Sequence, residues 1–234
     1  MSRPLISFDA AGTLIQVRQP VGETYAAFAP QHGVRVEAAA LKQAFRQVWG
    51  TLPVPEWPEG ECAPDDERGW WRQLVAAVFA HTLGGPLADG VLEPLFGDLY
   101  HHFSLPEAWT VYDDVRPALD ELARDHQFCV LSNFDRRLRS ILAGHGLDRY
   151  FPHILLSSEV GAAKPHPRMF STALRLTGAV AGESWHVGDD LRCDIQGALN
   201  AGWQAFHVER PSQGLQVLVE KVRSKTKSCL HTPS

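Results

Sequence analysis

The chain has 234 residues, enough for one large domain or for a core that carries a smaller insertion. A hydrophobic fraction of 44%, a charged fraction of 21% and a formal net charge of -5 fit an ordinary globular protein. They give no reason to expect a nucleic acid or an anionic membrane as partner, and no apolar run approaches the ~20 residues that span a bilayer.

The first element is the run Leu5-Ile6-Ser7-Phe8, which climbs to Asp9 and breaks at Gly12. A short apolar run of this kind reads as a buried strand of a parallel sheet, with Asp9 at the carboxyl end where open α/β folds place their chemistry. It begins almost at Met1, so no signal peptide is expected. From Val21 to about Phe103 the pattern turns helical. A first helix runs through Tyr25 and Phe28 to Gly33. A second spans Ala38 to Trp49, with Leu41, Ala44, Phe45 and Val48 on one face. The proline-rich stretch from Gly50 to Gly60 reads as a loop. Asp65 to Leu83 and Ala88 to Phe103 give two more helices, so the block reads as a bundle of about four.

From Trp109 onward strand and helix alternate. Strands are expected at Phe128-Leu131, His153-Leu156, Ser184-Val187 and Gln204-Val208. The helices between them carry Leu119 and Leu122, then Ile141 and Leu142, then Met169 and Phe170, then Ile195, Ala198 and Leu199 inward. Such alternation predicts a three-layer, Rossmann-like α/β core with a parallel sheet and helices on both faces. The expected division is residues 1–16 and 105–234 as the core and 17–104 as a helical insertion. The polar tail after Arg210 predicts a short helix and then a frayed end.

Each strand ends in something polar: Asp9, then Ser132-Asn133, then Lys164-Pro165, then Gly188-Asp189-Asp190 with Asp194 a turn beyond. In a parallel sheet these ends share one edge. Four aspartates gathered there would disfavour one another's ionised form. Mg2+ is the natural remedy, because it takes carboxylates, waters and a phosphate oxygen. Lys164 and Ser132 would then face the same phosphoryl group.

This ordered set resembles the haloacid dehalogenase-like hydrolase superfamily, through Phe8-Asp9-Ala10-Ala11-Gly12-Thr13-Leu14, Leu131-Ser132-Asn133, Lys164-Pro165 and Val187-Gly188-Asp189-Asp190-Leu191-Arg192-Cys193-Asp194. The helical insertion matches the family's cap in its first insertion position. The run Asp9 to Leu14 with Pro20 to Tyr25, and His186-Val187-Gly188-Asp189 leading to Cys193-Asp194, look more narrowly like the rhythmically-expressed-gene-like branch. The resemblance implies that Asp9 is a nucleophile forming an aspartyl-phosphate. It implies that Ser132, Asn133 and Lys164 bind the phosphoryl group, and that Asp9, Asp189 and the backbone carbonyl of Ala11 ligate Mg2+. Asp190 and Asp194 are each a ligand or a support, and the sequence leaves that choice open.

The chain departs from the family pattern at Ala11, where the family's phosphatases carry the Asp that protonates the leaving oxygen. Such assistance is worth roughly 10²–10⁴-fold, so alkyl esters should suffer most and acyl, enol and aryl phosphates least. His166, where the family commonly has Asp, is a milder departure. The expected function is a Mg2+-dependent phosphatase of a small phosphorylated metabolite, selective for good leaving groups. The alternatives are a catalytically silent phospho-ligand or partner-binding protein, a 2-haloacid dehalogenase, and a phosphonate-cleaving enzyme using Lys42, the only lysine of the insertion.

Several residues read most simply as structure. Trp49, Trp57, Trp70 and Trp71 suit packing of the insertion, Arg136 and Arg137 a solvated face, and His101 and His102 the surface. Glu23 is a candidate substitute acid. The scattered Cys62, Cys129, Cys193 and Cys229 suit reduced thiols in a cytoplasmic protein. An accessory role is open to Cys193.

Overall fold

In the computed structural model, residues 3–53, 55–58, 61–63 and 66–229 are described. The strands are β1 (Leu5–Phe8), β2 (Ile15–Val17), β3 (Trp109–Val111), β4 (Gln127–Ser132), β5 (His153–Leu156), β6 (Trp185–Gly188) and β7 (Gln204–His207). Five of them make one parallel sheet in the order β5-β4-β1-β6-β7, so β1 lies in the middle. Phe8 is in register with Val130 on one side and Val187 on the other.

Alternation along the strands feeds two cores. Ile6, Phe8, Phe128 and Val130 face the helices α5 (Val115–Leu122), α6 (Arg137–Gly144) and α10 (Leu215–Cys229). Leu5, Cys129 and Leu131 face the opposite way, onto Met169, Phe170 and Ala173 of helix α8 (Pro167–Thr177). Short helices α7 (Ser157–Val160) and α9 (Gly197–Asn200) complete the core. The result is the three-layer α/β arrangement expected from the alternation.

The helical block lies between β2 and β3. It contains α1 (Val21–Phe28), α2 (Ala38–Trp49), α3 (Arg68–Leu83) and α4 (Asp89–His102). Its apolar faces close on one another: Leu41, Ala44 and Val48 of α2 meet Leu74, Val78 and Phe79 of α3 and Leu95 and Leu99 of α4. The expected span of α2 matches, whereas α3 begins at Arg68; the expected start at Asp65 lies outside the described residues.

Three features differ from the sequence reading. The two chain crossings between core and block form an antiparallel pair, with Ile15 opposite Val111 and Val17 opposite Trp109. Strands of three residues carry too little periodicity to be seen in sequence. The tail after Arg210 is a 15-residue helix, not a short one. Leu215, Leu218, Val219 and Val222 are buried at helical spacing, each worth about 1.5–3 kcal/mol if fully removed from water. Leu199 is exposed rather than inward, because the chain from Leu191 to Gln196 forms a wider π-helical turn that rotates the face of α9 after it.

Candidate active site

The central strand delivers Asp9. Its backbone N–H donates to Val187 O at 2.8 Å, carrying the ladder one residue past β1 and leaving the carboxylate at the sheet edge. The chain then turns at Gly12, whose φ of +89° is a conformation that side-chain-bearing residues rarely adopt. A β-carbon there would also run into the Asp189 carboxylate. The neighbouring Thr13 hydroxyl donates to Asp189 Oδ1 at 3.2 Å, so the loop after β1 and the loop after β6 hold each other.

Strand β4 delivers Ser132, whose hydroxyl donates to Asp9 Oδ1 at 3.1 Å. The segment after α7 delivers Lys164, 1% exposed. Its ammonium donates to Asp9 Oδ1 at 2.8 Å, Asp194 Oδ1 at 2.6 Å and Leu131 O at 2.6 Å, which uses all three protons. Burial acts to lower the Lys164 pKa, but Asp194 and Asp9 outweigh it and hold the ammonium above its usual range. Asn133 sits beside it with both ends of its amide bonded to the Lys164 main chain, at 2.9 Å and 2.6 Å. In this arrangement its side chain fixes the lysine.

Strand β6 delivers the acids. Oxygens of Asp9, Asp189 and Asp194 lie within 4.8 Å of one another. Burial, partly offset by Lys164, raises the Asp9 pKa. Desolvation in the cleft, then the charges of Asp9 and Asp194, push Asp189 up to about 7. Burial works the same way on Asp194, but Lys164 and His186 override it and hold that carboxyl well below the usual range. Asp190 stands apart from the cluster: its Oδ1 accepts from the N–H groups of Arg192 and Cys193 at 2.8 Å and 2.6 Å, capping the π-helical turn. Of the two, Asp194 lies inside the triad of acids and Asp190 does not. Three hard oxygen donors, two of them held reluctant to ionise, make a set that a divalent cation such as Mg2+ fits.

Sequence reasoning missed two residues here, one that supports this cluster and one that lines the cavity above it. His186, fully buried, has Nε2 3.0 Å from Asp194 Oδ1 and Nδ1 2.7 Å from Ser7 Oγ. A lone His inside an apolar strand gave no sign of either contact. Glu67, just ahead of α3, is 4% exposed and lines the cavity that opens over Asp9. Its charged neighbours Asp66 and Arg68 give no sign of that burial in the sequence.

That cavity, about 600 Å³, is lined at its floor by Asp9, Ala11, Ser132, Lys164 and Asp189. The wall carries Trp49, Trp70 and Trp71, so these three rings do more than pack the helical block; Trp57 does not line it. Arg137 is not on a solvated face. Its guanidinium pairs with the fully buried Asp135 at 2.8 Å and stacks 3.7 Å from the Tyr100 ring centroid, while Arg136 is exposed as expected. Glu23 and Lys42 are both exposed and line no part of the cavity. His101 is exposed, but His102 is half-buried against Phe28 and Phe103. His166 caps α8, its Nδ1 accepting from Arg168 N at 3.1 Å. Cys193 reaches the cavity, yet burial followed by the Asp190 charge pushes its thiol up to about 12, which keeps it protonated.

Comparison with known proteins agrees with the fold and the motif order. The human haloacid dehalogenase-like hydrolase domain-containing protein 3 is 39% identical over 208 residues, covering 88% of this chain and 82% of that protein. The Drosophila melanogaster rhythmically expressed gene 2 protein is 28% identical over 218 residues, covering 89% and 84%, which supports the rhythmically-expressed-gene-like branch. The solved L-2-haloacid dehalogenase of Xanthobacter autotrophicus superposes with a TM-score of 0.67 at 24% identity, covering 96% of this chain and 83% of that one. The family model described as haloacid dehalogenase-like hydrolase matches residues 4–202, and the chain belongs to that family.

Proposed function

We propose that this hydrolase is a Mg2+-dependent phosphatase of a small phosphorylated metabolite, working through an aspartyl-phosphate on Asp9. The observation that carries the reading is the gathering of Asp9, Asp189 and Asp194 around one point, with the Lys164 ammonium bonded to two of them. A haloacid dehalogenase needs a carboxylate nucleophile but has no use for three converging acids. An exposed Lys42 outside the cavity argues likewise against Schiff-base cleavage of a phosphonate.

The hydrogen bonds of Asp9 from Ser132 and Lys164 fall on Oδ1. They anchor one oxygen and leave Oδ2 to attack phosphorus. As the P–O bond to the leaving group breaks, Ser132 and Lys164 would exchange their bonds to Asp9 Oδ1 for bonds to the phosphoryl oxygens. Water then attacks the phosphorus of the aspartyl-phosphate, releasing inorganic phosphate and restoring the Asp9 carboxylate. Asp9, Asp189 and the Ala11 carbonyl would hold Mg2+, with Asp194 beside them. The ion would neutralise the phosphate charge that these carboxylates otherwise repel.

Ala11 lines the cavity with a methyl group and no proton to give. The leaving group must therefore depart unaided, which favours acyl and aryl phosphates over alkyl ones. The block formed by residues 17–104 serves as the cap that screens this step from water, and the free cysteines suit a cytoplasmic setting. Turnover of a panel running from acetyl and phenyl phosphate to sugar phosphates and 2-haloacids, with and without Mg2+, tests the reading. Mg2+-dependent phosphate release from the first group, abolished in Asp9→Asn, is the expected result. Metal-independent halide release overturns it. Tight phosphate binding without turnover of any ester favours the silent binder.

A further inference from the structure

The cavity has a second polar feature that the phosphate chemistry does not use. Its wall is aromatic: Trp49, Trp70 and Trp71 stand edge to face, with ring centroids 5.7 Å apart for Trp49–Trp70 and 4.9 Å for Trp70–Trp71. Into this wall opens one buried carboxyl, Glu67. Among the described residues its side chain makes no salt bridge, and its hydrogen-bond partner is the Ser157 hydroxyl at 2.5 Å. Of the cations close by among the described residues, Arg137 is committed to Asp135 through three guanidinium contacts of 2.8–3.0 Å, and Arg68 lies over the Phe96 and Tyr100 rings.

The backbone holds Glu67 in place at some cost. Asp66 and Glu67 have φ of +54° and +62°, left-handed conformations that non-glycine residues rarely adopt. The segment around them is pinned to the core, with Ala63 N donating to Ser158 O at 2.9 Å and Arg136 N donating to Asp66 Oδ2 at 3.1 Å. A surface acid requires none of this. A buried carboxylate without its own cation is unfavourable, and indole faces attract cations. The same wall already holds one cation in that way, since the Arg137 guanidinium lies 5.1 Å from the Trp71 ring centroid.

We propose that Glu67 and the Trp49–Trp70–Trp71 wall form a subsite for an ammonium group on the organic part of the substrate. The substrate class is then a phosphate ester or acyl phosphate whose leaving group is a compact apolar body bearing a primary or quaternary amine. The phosphate end of this assignment rests on the phosphatase reading above; the ammonium subsite rests on the chamber alone. Burial is the main reason the Glu67 carboxyl is pushed up to about 7, with Asp135 and Asp66 adding to it and Ser157 and Arg137 opposing. Of the other charged or titratable groups on the surrounding elements, Tyr100 donates to Asp135 at 3.1 Å, Arg68 lies over the Tyr100 and Phe96 rings, and Glu159 pairs with Arg136 and Arg139. An ammonium bound against Glu67 favours its ionised form, so amine affinity rises with pH through 7.

Calorimetry with two leaving-group probes of like shape tests the subsite without requiring turnover: tyramine, which is cationic, and 4-propylphenol, which is neutral. At pH 8 the protein should bind tyramine at least about tenfold more tightly, and in Glu67→Gln the ratio should fall below about threefold. Trp70→Leu should lower the same ratio and serves as the second variant should Glu67→Gln fail to fold. Equal affinity for the two probes, a preference that survives both variants, or no binding of either probe overturns the proposal. In turnover, O-phosphotyramine should surpass 4-propylphenyl phosphate in kcat/KM by a similar factor. Failure to hydrolyse either ester overturns the phosphatase reading instead, and the calorimetry still decides the subsite.

Discussion

His186 and Asp194 meet behind the sheet edge, with the imidazole Nε2 3.0 Å from the carboxylate Oδ1. Burial lowers the His186 pKa despite the Asp194 hydrogen bond, so the ring is neutral. The network then assigns the proton to Nε2, which donates to Asp194, while Nδ1 accepts from the Ser7 hydroxyl. Replacing His186 with Phe keeps the volume but removes one bond to the Asp194 carboxylate and one to the Ser7 hydroxyl, which is left with Trp185 O at 3.2 Å. A loss of about 1–3 kcal/mol is expected in urea unfolding. An unchanged midpoint would mean that the imidazole only fills space.

Gly188 is required by its neighbour rather than by its backbone. A β-carbon there would fall on the Asp194 carboxylate, which Lys164, His186 and the Asp190 N–H hold from three sides. Gly188→Ala should cost about 1–3 kcal/mol through overpacking. It should also remove most phosphatase activity by displacing an acid of the cluster. Thermal unfolding and phenyl phosphate turnover read the two effects separately.

Glu67 makes a pH prediction of definite sign. Its pKa in the folded protein, about 7, stands above the ordinary glutamate value of 4.5, so the folded state binds the extra proton between those values. Its contribution to stability is therefore fully present below pH 4.5 and is lost as pH rises through 7, by an amount on the order of 2–3 kcal/mol. Relative to Glu67→Gln, the unsubstituted protein should lose stability across that window. A stability difference that is flat in pH would contradict the burial of this carboxyl.

Ala11 predicts a gain. Ala11→Asp places a carboxyl where the leaving oxygen departs, and alkyl phosphate turnover should rise by about 10²-fold, with aryl phosphate turnover changing far less. Steady-state kcat for glycerol phosphate and phenyl phosphate gives the comparison. A parallel change in both would show that proton delivery is not what the natural enzyme lacks.

Much of the site was legible because parallel sheets write it in a simple form: an apolar run, then the residue that acts. Asp9, Ser132 and Asp189 each come at or just past the end of such a run, Lys164 follows β5 by way of the short helix α7, and their meeting is a consequence of strand order. The missed contacts depend on distances across the fold. Arg136 and Arg137 look alike in sequence, yet Arg137 alone turns inward to Asp135. The left-handed turn at Asp66-Glu67 contains no glycine to announce it. The tryptophans belong to both packing and cavity, because the inner face of the helical block faces the sheet edge. The burial of the last helix came from four apolar residues spaced among Gln216, Glu220 and Lys221, ahead of a basic end that masked the stripe.

The central claim is that Asp9 carries the phosphoryl group. Rapid quenching of the Mg2+-loaded enzyme with acetyl phosphate, then borohydride reduction, converts an aspartyl-phosphate to homoserine, and peptide mass analysis locates it. Homoserine at position 9, dependent on Mg2+ and absent in Asp9→Asn, is the result this account predicts. Phosphate release that persists in Asp9→Asn, with no homoserine at position 9 in the unsubstituted enzyme, would contradict it.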